Sequence, residues 1–319
     1  MASKIALALH GGCGTLPVDE LTAAEWAESR DHIADALRAG WDILRRGGSA
    51  LDAVEATVVI LENSPHFNAG HGAALNAAEQ HELDSAIMDG ATLGAGAVAG
   101  AGRIRNPVKA ARALLERGDA IMLIGPSADA FAGSAGLEIV DNSYFTTARR
   151  IEMLRRMRAH AASGTSASEG EKHGTVGAVA LDRAGHLAAA TSTGGYTNKP
   201  PGRVGDSPLI GIGTYARDGA CAVSCTGMGE YFMRNVAGHE IASQMRLAGR
   251  SLKEATHTMV FDTIGKQYGI GAGLCAVDGQ GHIEVPFNTV GMYRGFVTAD
   301  GDCHVGTHAE LECRGRWDQ

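Results

Sequence analysis

His173-Gly174-Thr175-Val176-Gly177-Ala178-Val179-Ala180-Leu181-Asp182 is the stretch where the chain changes character. Ahead of it, residues 161–173 contain no large apolar side chain and read as an exposed flexible linker. From Thr175 onward small and apolar residues run together, which predicts a buried strand. Asp182 and Gly185 then mark a turn, and Leu187 onward a returning strand. The pattern from Gly177 to Ala190 is echoed from Gly273 to Pro286, with Asp278 and Gly281 in the turn. Helical periodicity over about 229–247 and 251–267 lies between the two hairpins. Hairpin, helix, helix, hairpin predicts antiparallel or mixed sheets with helices on their outer faces. A layered α/β sandwich fits that order better than a doubly wound parallel sheet.

Upstream, residues 4–9 read as a short buried strand entering a glycine loop from His10 to Thr15. A first helix carries Ile33, Leu37, Gly40, Trp41 and Leu44 on one face and ends at Gly47-Gly48. A second starts at Ser49 and aligns Leu51, Val54, Val58 and Leu61 before Pro65 stops it. A polar loop, Phe67-Asn68-Ala69-Gly70-His71-Gly72, follows. Strands are expected near 82–89, 94–100 and 120–124, and helices near 107–117 and 144–160.

The 319 residues are 45% hydrophobic and 20% charged, enough for a large core and against disorder. Forty-four glycines against eight prolines, with 5% aromatics, imply tight turns and close backbone approaches. A net charge of -8 supplies no basic stripe, which argues against nucleic-acid or membrane-surface binding. The first apolar run, Ile5 to Leu9, is too short for a secretory signal, and no run reaches the ~18 apolar residues of a membrane span. The six cysteines form no C-x-x-C pair; Cys221 and Cys225 on one strand would stand roughly 13 Å apart. Free thiols in a cytoplasmic protein are expected.

Several tempting patterns carry little. Gly94-Ala-Gly96 imitates a dinucleotide fingerprint but lacks the following crossover and acidic partner. Cys303, His304 and His308 suggest zinc, yet no paired C-x-x-C or H-E-x-x-H supports it. The Gly174–Thr175 junction is more telling. A threonine hydroxyl needs a base within reach, and cutting this bond would create one, the new α-amine on the same residue. Its unperturbed pKa of about 7.7–8.0 leaves a useful neutral fraction near neutrality. Taken alone, the junction also fits a plain linker before a strand that starts with Thr. Thr193 ends the hairpin partner of the Thr175 strand. Arg203 and Asp206 could hold the carboxylate and ammonium of an amino acid at once, or form an ordinary surface salt bridge. Thr226-Gly227-Met228-Gly229 runs from strand to helix, where backbone N–H groups could meet an oxyanion or simply make a turn.

Taken together, these segments resemble the plant-type (class 2) L-asparaginase and isoaspartyl peptidase family of N-terminal nucleophile (Ntn) hydrolases. The matching motifs are His10-Gly-Gly, Phe67-Asn-Ala-Gly-His-Gly72, Glu82-Leu-Asp-Ser-Ala-Ile-Met-Asp-Gly90 and Gly174-Thr-Val-Gly177. Thr191-Ser-Thr-Gly-Gly195, Pro201-Gly-Arg-Val-Gly-Asp-Ser-Pro208, Ser224-Cys-Thr-Gly-Met-Gly229 and Pro286-Phe-Asn-Thr-Val-Gly-Met292 follow in family order. The resemblance implies one four-layer αββα domain over residues 1–319, self-cleaved into 1–174 and 175–319 and assembled as (αβ)2. It implies Thr175 as nucleophile, Thr193 orienting it, Thr226 and Gly227 as oxyanion hole, and Asn68 close by. Arg203, Asp206 and Gly229 resemble the clamp on the substrate's α-carboxylate and α-amine. No catalytic cofactor is implied. A structural sodium ion on the backbone carbonyls of Leu61, Glu62, Ser64, Phe67, Ala69 and His71 is. The expected activity is hydrolysis of L-asparagine and β-aspartyl dipeptides to L-aspartate. A glycosylasparaginase-like amidase is the alternative, and a non-enzymatic amino-acid-binding module a distant third. Met228, His71 and Cys13 depart from the usual family residues, and Met228 bears on the pocket wall.

Overall fold

The computed structural model describes residues 4–14, 16–17, 21–163 and 174–318. Alternation along the strands sets the architecture. In β1 (Ala6–Gly14) Leu7 and Leu9 pack with the helices α1 (Ala23–Arg45) and α2 (Ala50–Asn63), while Ala6 and Ala8 face the opposite way. β5 (Val176–Leu181) and β6 (Leu187–Thr193) divide their side chains in the same manner. A strand that is apolar on both faces must be covered on both. On the second face lies a four-stranded sheet containing β7 (Thr214–Ala216), β8 (Cys221–Gly227), β9 (Ala272–Asp278) and β10 (Ile283–Glu284), in the order β10-β9-β8-β7.

The larger sheet has nine strands, with β2 (Leu83–Asp89), β3 (Ala95–Ala101) and β4 (Met122–Ile124) on one side of β6. β11 (Gly291–Val297), β12 (Asp302–Gly306) and β13 (Glu312–Arg316) extend it beyond β1. All pairs in it are antiparallel except β3–β4, so the sheet is mixed. The helix α3 (Pro107–Arg117) joins α1 and α2 against it, α4 (Gly125–Ser134) touches β3, and α5 (Ala148–Ser163) leads toward the junction. α6 (Gly229–Asn235), α7 (Ala237–Ala248) and α8 (Leu252–His257) belong to the cluster that includes the smaller sheet. Among the described residues no helix is long and apolar enough to cross a membrane.

Local chemistry explains most boundaries. Thr22 and Glu25 form a reciprocal capping box at α1, and the Ser49 hydroxyl accepts from Asp52 N–H at α2. Several expectations are corrected. The His10–Gly14 loop is strand, since β1 continues through it with a register shift between His10 and Gly12. The single helix expected over 229–247 breaks at Val236, whose φ of 46° is left-handed, and 258–267 continues α8 as a π-helix. Asn142–Phe145 is a 3₁₀ turn, so the helix expected from 144 begins at Ala148. It also runs through Ser163, into the start of the expected linker; 164–173 lie outside the described residues.

Candidate active site

The glycines decide how closely the two sheets meet. A Cβ on Gly177 would stand 1.9 Å from Ser224 Oγ, so only hydrogen lets β5 lie this close to β8. A Cβ on Gly12 would stand 2.8 Å from Gly174 Cα and 3.2 Å from Thr175 N. The bulge in β1 therefore brings backbone directly against the junction.

Thr175 is buried immediately before β5, and its hydroxyl donates to Thr193 Oγ at 3.1 Å. Thr193 Oγ in turn donates to the Gly174 carbonyl at 3.2 Å and accepts from Gly195 N–H at 3.1 Å. One oxygen thus touches both the hydroxyl and the carbonyl of the Gly174–Thr175 peptide. Asn68 braces the same corner. Its Nδ2 donates to Gly195 O and its Oδ1 accepts from Ala74 N–H, both at 2.6 Å, while its Cβ lies 3.1 Å from where a Gly174 Cβ would be.

His10 is a member of this site that the residue-by-residue reading did not single out. Its Nδ1 lies 2.8 Å from the Thr175 carbonyl and its Nε2 2.9 Å from Ser224 Oγ. A carbonyl only accepts, so Nδ1 carries the proton and Nε2 accepts from Ser224. Burial pushes the imidazole down to about 4, which keeps it neutral in that tautomer. Ser224 Oγ continues to Thr191 Oγ at 2.7 Å, and Thr214 donates to Thr191 at 2.6 Å. The chain of side chains locks the Thr175 carbonyl to both sheets. The His10-Gly-Gly motif was the visible signal.

Thr226 is the last residue but one of β8, where its hydroxyl accepts from Cys13 N–H at 3.3 Å. Gly227 has a φ of 141° and a Cβ there would be 2.8 Å from Gly271 O, so the turn into α6 needs glycine. Cys13 is no nucleophile, since burial pushes its thiol up to about 12. Arg203 does not pair with Asp206. Its Nε and Nη2 make two 2.9 Å hydrogen bonds to the Glu230 carboxylate, and the guanidinium lies 4.7 Å over the Tyr196 ring. Lys199, buried beside it, donates to Glu82 at 2.6 Å and to the Arg203 carbonyl at 2.8 Å. Asp206 Oδ2 is buried with no hydrogen-bond partner, and a Cβ on Gly229 would stand 2.7 Å from Oδ1. Burial pushes this carboxyl up to about 7, against the opposing pull of Arg203. A buried carboxylate with an unused oxygen is a receptor for a cation.

The sign of the resulting pH dependence follows. Because the folded carboxyl holds its proton to about 7 rather than 3.8, the native state binds more protons across that window. Stability contributed by Asp206 is therefore lost as pH rises from about 4 to 7. Glu62 and Asp84 are also raised by burial, to about 7 and about 6, and act in the same direction. Asp206→Asn should consequently flatten, and not abolish, the decline of melting temperature between pH 5 and 7.5. An unchanged slope would show that this carboxyl is ionised throughout.

The cavity that touches Gly174 measures only about 30 Å³ and is bounded by Asn68, Arg150, Met153 and Tyr293. It has no room for an amino acid. A concavity of about 690 Å³ lined by Arg30 and residues 305–312 includes none of the residues above.

Residues 3–307 match the profile of the family described as asparaginase. The chain is 45% identical over 312 residues to an isoaspartyl peptidase of Escherichia coli (strain K12), covering 96% of this chain and 97% of that one. It is 41% identical over 338 residues to a putative isoaspartyl peptidase/L-asparaginase of Dictyostelium discoideum, covering 95% and 96%. A probable isoaspartyl peptidase/L-asparaginase 2 of Arabidopsis thaliana is 37% identical over 323 residues, covering 94% and 98%. Similarity of this depth, over nearly full length on both sides, leaves one assignment: the chain belongs to the plant-type, class 2 L-asparaginase and isoaspartyl peptidase family of Ntn hydrolases.

Proposed function

We propose that this enzyme cuts itself between Gly174 and Thr175 and then hydrolyses the β-amide of L-asparagine and the β-aspartyl bond of isoaspartyl dipeptides, releasing L-aspartate. The observation that carries the reading is the Thr193 oxygen, which accepts from Thr175 Oγ and donates to Gly174 O. Attack of Thr175 Oγ on the Gly174 carbonyl carbon forms an ester as the C–N bond breaks and the nitrogen takes up a proton. Water then cleaves the ester, leaving fragments 1–174 and 175–319. Thr193 donates to the oxygen that becomes negative, which is where a donor lowers the barrier. In the mature enzyme the Thr175 amine takes the hydroxyl proton and Oγ attacks the substrate β-carbonyl. Thr226 and the Gly227 N–H stabilise the oxyanion, the amine or ammonia departs protonated, and water releases aspartate.

Arg203 meets the α-carboxylate, with Glu230 holding the guanidinium plane, and Asp206 takes the α-ammonium beside Gly229. Asp206 Oδ2, buried and unpaired, supports that role. The order of helices, nine-stranded sheet, four-stranded sheet and helices supports the four-layer αββα arrangement. A structural sodium ion on the carbonyls of Leu61, Glu62, Ser64, Phe67, Ala69 and His71 is part of the same reading. The Glu62 carbonyl oxygen lies at the Cβ position that Gly70 lacks, and those of Pro65 and Phe67 lie 2.8 and 2.9 Å from the one that Gly72 lacks, so the loop gathers backbone oxygens of the kind sodium takes. Such an ion would fix the loop that carries Asn68. Assembly as (αβ)2 belongs to the same reading. A cytoplasmic location is supported by six free cysteines.

Purified protein should give two bands on denaturing gels, with cleavage before Thr175 by mass, and should release aspartate from asparagine and β-Asp-Leu. A glycosylasparaginase-like enzyme would instead prefer sugar-bearing asparagine. A two-fragment protein inactive on both proposed substrates would overturn the assignment of substrate class.

A further inference from the structure

Beside the small cavity that touches Gly174, a second group of polar side chains is gathered where α1 meets the loop after α2. Glu28 and His32 are one turn apart on α1, so they share a face. His66 comes to them from the loop, its ring 5.1 Å from that of His32 and edge-on. Among the described residues these three are the one set of His, Cys, Asp or Glu in which a ligand atom from each lies within 4.8 Å of the others.

We propose that Glu28, His32 and His66 bind a divalent cation of the zinc class, joining α1 to the loop that carries Asn68. Two imidazoles and a carboxylate are a donor set that borderline divalent ions prefer, with a position left for water. The spacing fits. Ligands at ~2.0–2.2 Å from a tetrahedral ion stand ~3.4 Å apart, and His66 Nε2 lies 3.5 Å from Glu28 Oε2. That nitrogen is buried and makes no hydrogen bond. His32 already has its outer partner, since Nδ1 lies 2.7 Å from Ser64 Oγ. A metal on Nε2 would make Nδ1–H the donor in that bond, which is how ligating histidines are usually oriented. The three ligand atoms lie within 4.8 Å of one another, and Glu28, whose side chain is 58% exposed, has the freedom to close on an ion. Arg149 lends a repulsive charge nearby, so the donor set must carry the affinity. The group differs from the carbonyl cradle, which offers only backbone oxygens. It also differs from the Cys303, His304 and His308 group, where His308 Nε2 is occupied by the Leu16 carbonyl at 2.9 Å.

The test is calorimetric titration of chelator-stripped, untagged, processed protein with ZnCl2, and with CaCl2 as a hard-ion control. One zinc per αβ unit in the micromolar range or tighter, with no response to calcium, is expected. His66→Gln and His32→Gln should each weaken binding at least ~10-fold. Glu28→Gln, on a side chain more than half exposed, should weaken it severalfold. Cobalt in place of zinc should give the visible absorption of a four-coordinate site in wild type and lose it in His66→Gln. No zinc binding at micromolar concentration, calcium binding in its place, or full affinity in the His32→Gln/His66→Gln double variant would each overturn the site. None of these readouts depends on hydrolytic activity, so failure here leaves the proposed reaction standing.

Discussion

A Thr175→Ala chain should remain in one piece and hydrolyse neither asparagine nor β-aspartyl peptides. One hydroxyl is asked to serve both reactions, and among the described residues no other hydroxyl or ionisable thiol is hydrogen-bonded to the Gly174 carbonyl except Thr193, which orients it. Cys13, the nearest thiol, hydrogen-bonds to the Thr226 carbonyl and is held protonated by burial. Removing a nucleophile that works within a coupled set costs roughly 10⁶-fold in turnover, which places residual activity below detection. The fold should tolerate the change, because among the described residues the hydroxyl bonds to Thr193, which keeps Gly174 O and Gly195 N–H as partners. Thr175→Ser should restore both cutting and hydrolysis. Intact-mass spectra showing normal cleavage of the alanine variant would mean that the junction is cut by something else.

The sequence made the chemistry of this corner legible and left its mechanics obscure. Thr175, Thr193, Thr226 and Asn68 are readable because each sits in a short motif with little else to do. The hydrogen bond from His10 to the Thr175 carbonyl spans 165 positions and joins two strands whose pairing no local pattern specifies. The glycines of His10-Gly-Gly read as a loop. In the folded chain they are strand residues: the side chain that Gly12 lacks admits Gly174 and the one that Gly11 lacks admits the Phe67 ring, a demand that appears only when those partners are in place. The fold divides in the same way. Amphipathic α1 and α2 announce themselves by periodicity and caps, whereas β11 to β13, short and interrupted by glycine and polar residues, extend the sheet without a pattern of their own. Arg203 and Asp206 looked like a pair because they are three residues apart. Tertiary packing instead gives Arg203 to Glu230 and leaves Asp206 Oδ2 unpaired.

That rearranged clamp carries the sharpest expectation about specificity, which is strong preference for β-linked over α-linked aspartyl peptides. Free α-carboxylate and free α-ammonium are present together in asparagine and in isoaspartyl residues at a chain's N-terminus. In an ordinary α-aspartyl peptide the α-carboxyl is locked in the peptide bond, so Arg203 would face a neutral amide. Arg203 is fixed from two sides, by the Glu230 carboxylate and by the Tyr196 ring, and cannot follow a displaced group. With the ammonium held at Asp206, the wrong carbonyl would also lie over Thr175. Losing a charge-assisted pair and misplacing the reacting carbon should together cost at least ~3–5 kcal/mol, a factor of ~150–5,000 in kcat/KM. Arg203→Ala should shrink that ratio by slowing the β-linked substrate about 30-fold or more, with self-cleavage intact, because the guanidinium touches neither Gly174 nor Thr175 in any hydrogen bond. The measurement is a side-by-side assay of α-Asp-Leu and β-Asp-Leu with mature wild type and variant. Equal turnover of the two dipeptides by wild type would remove Arg203 and Asp206 from the substrate site.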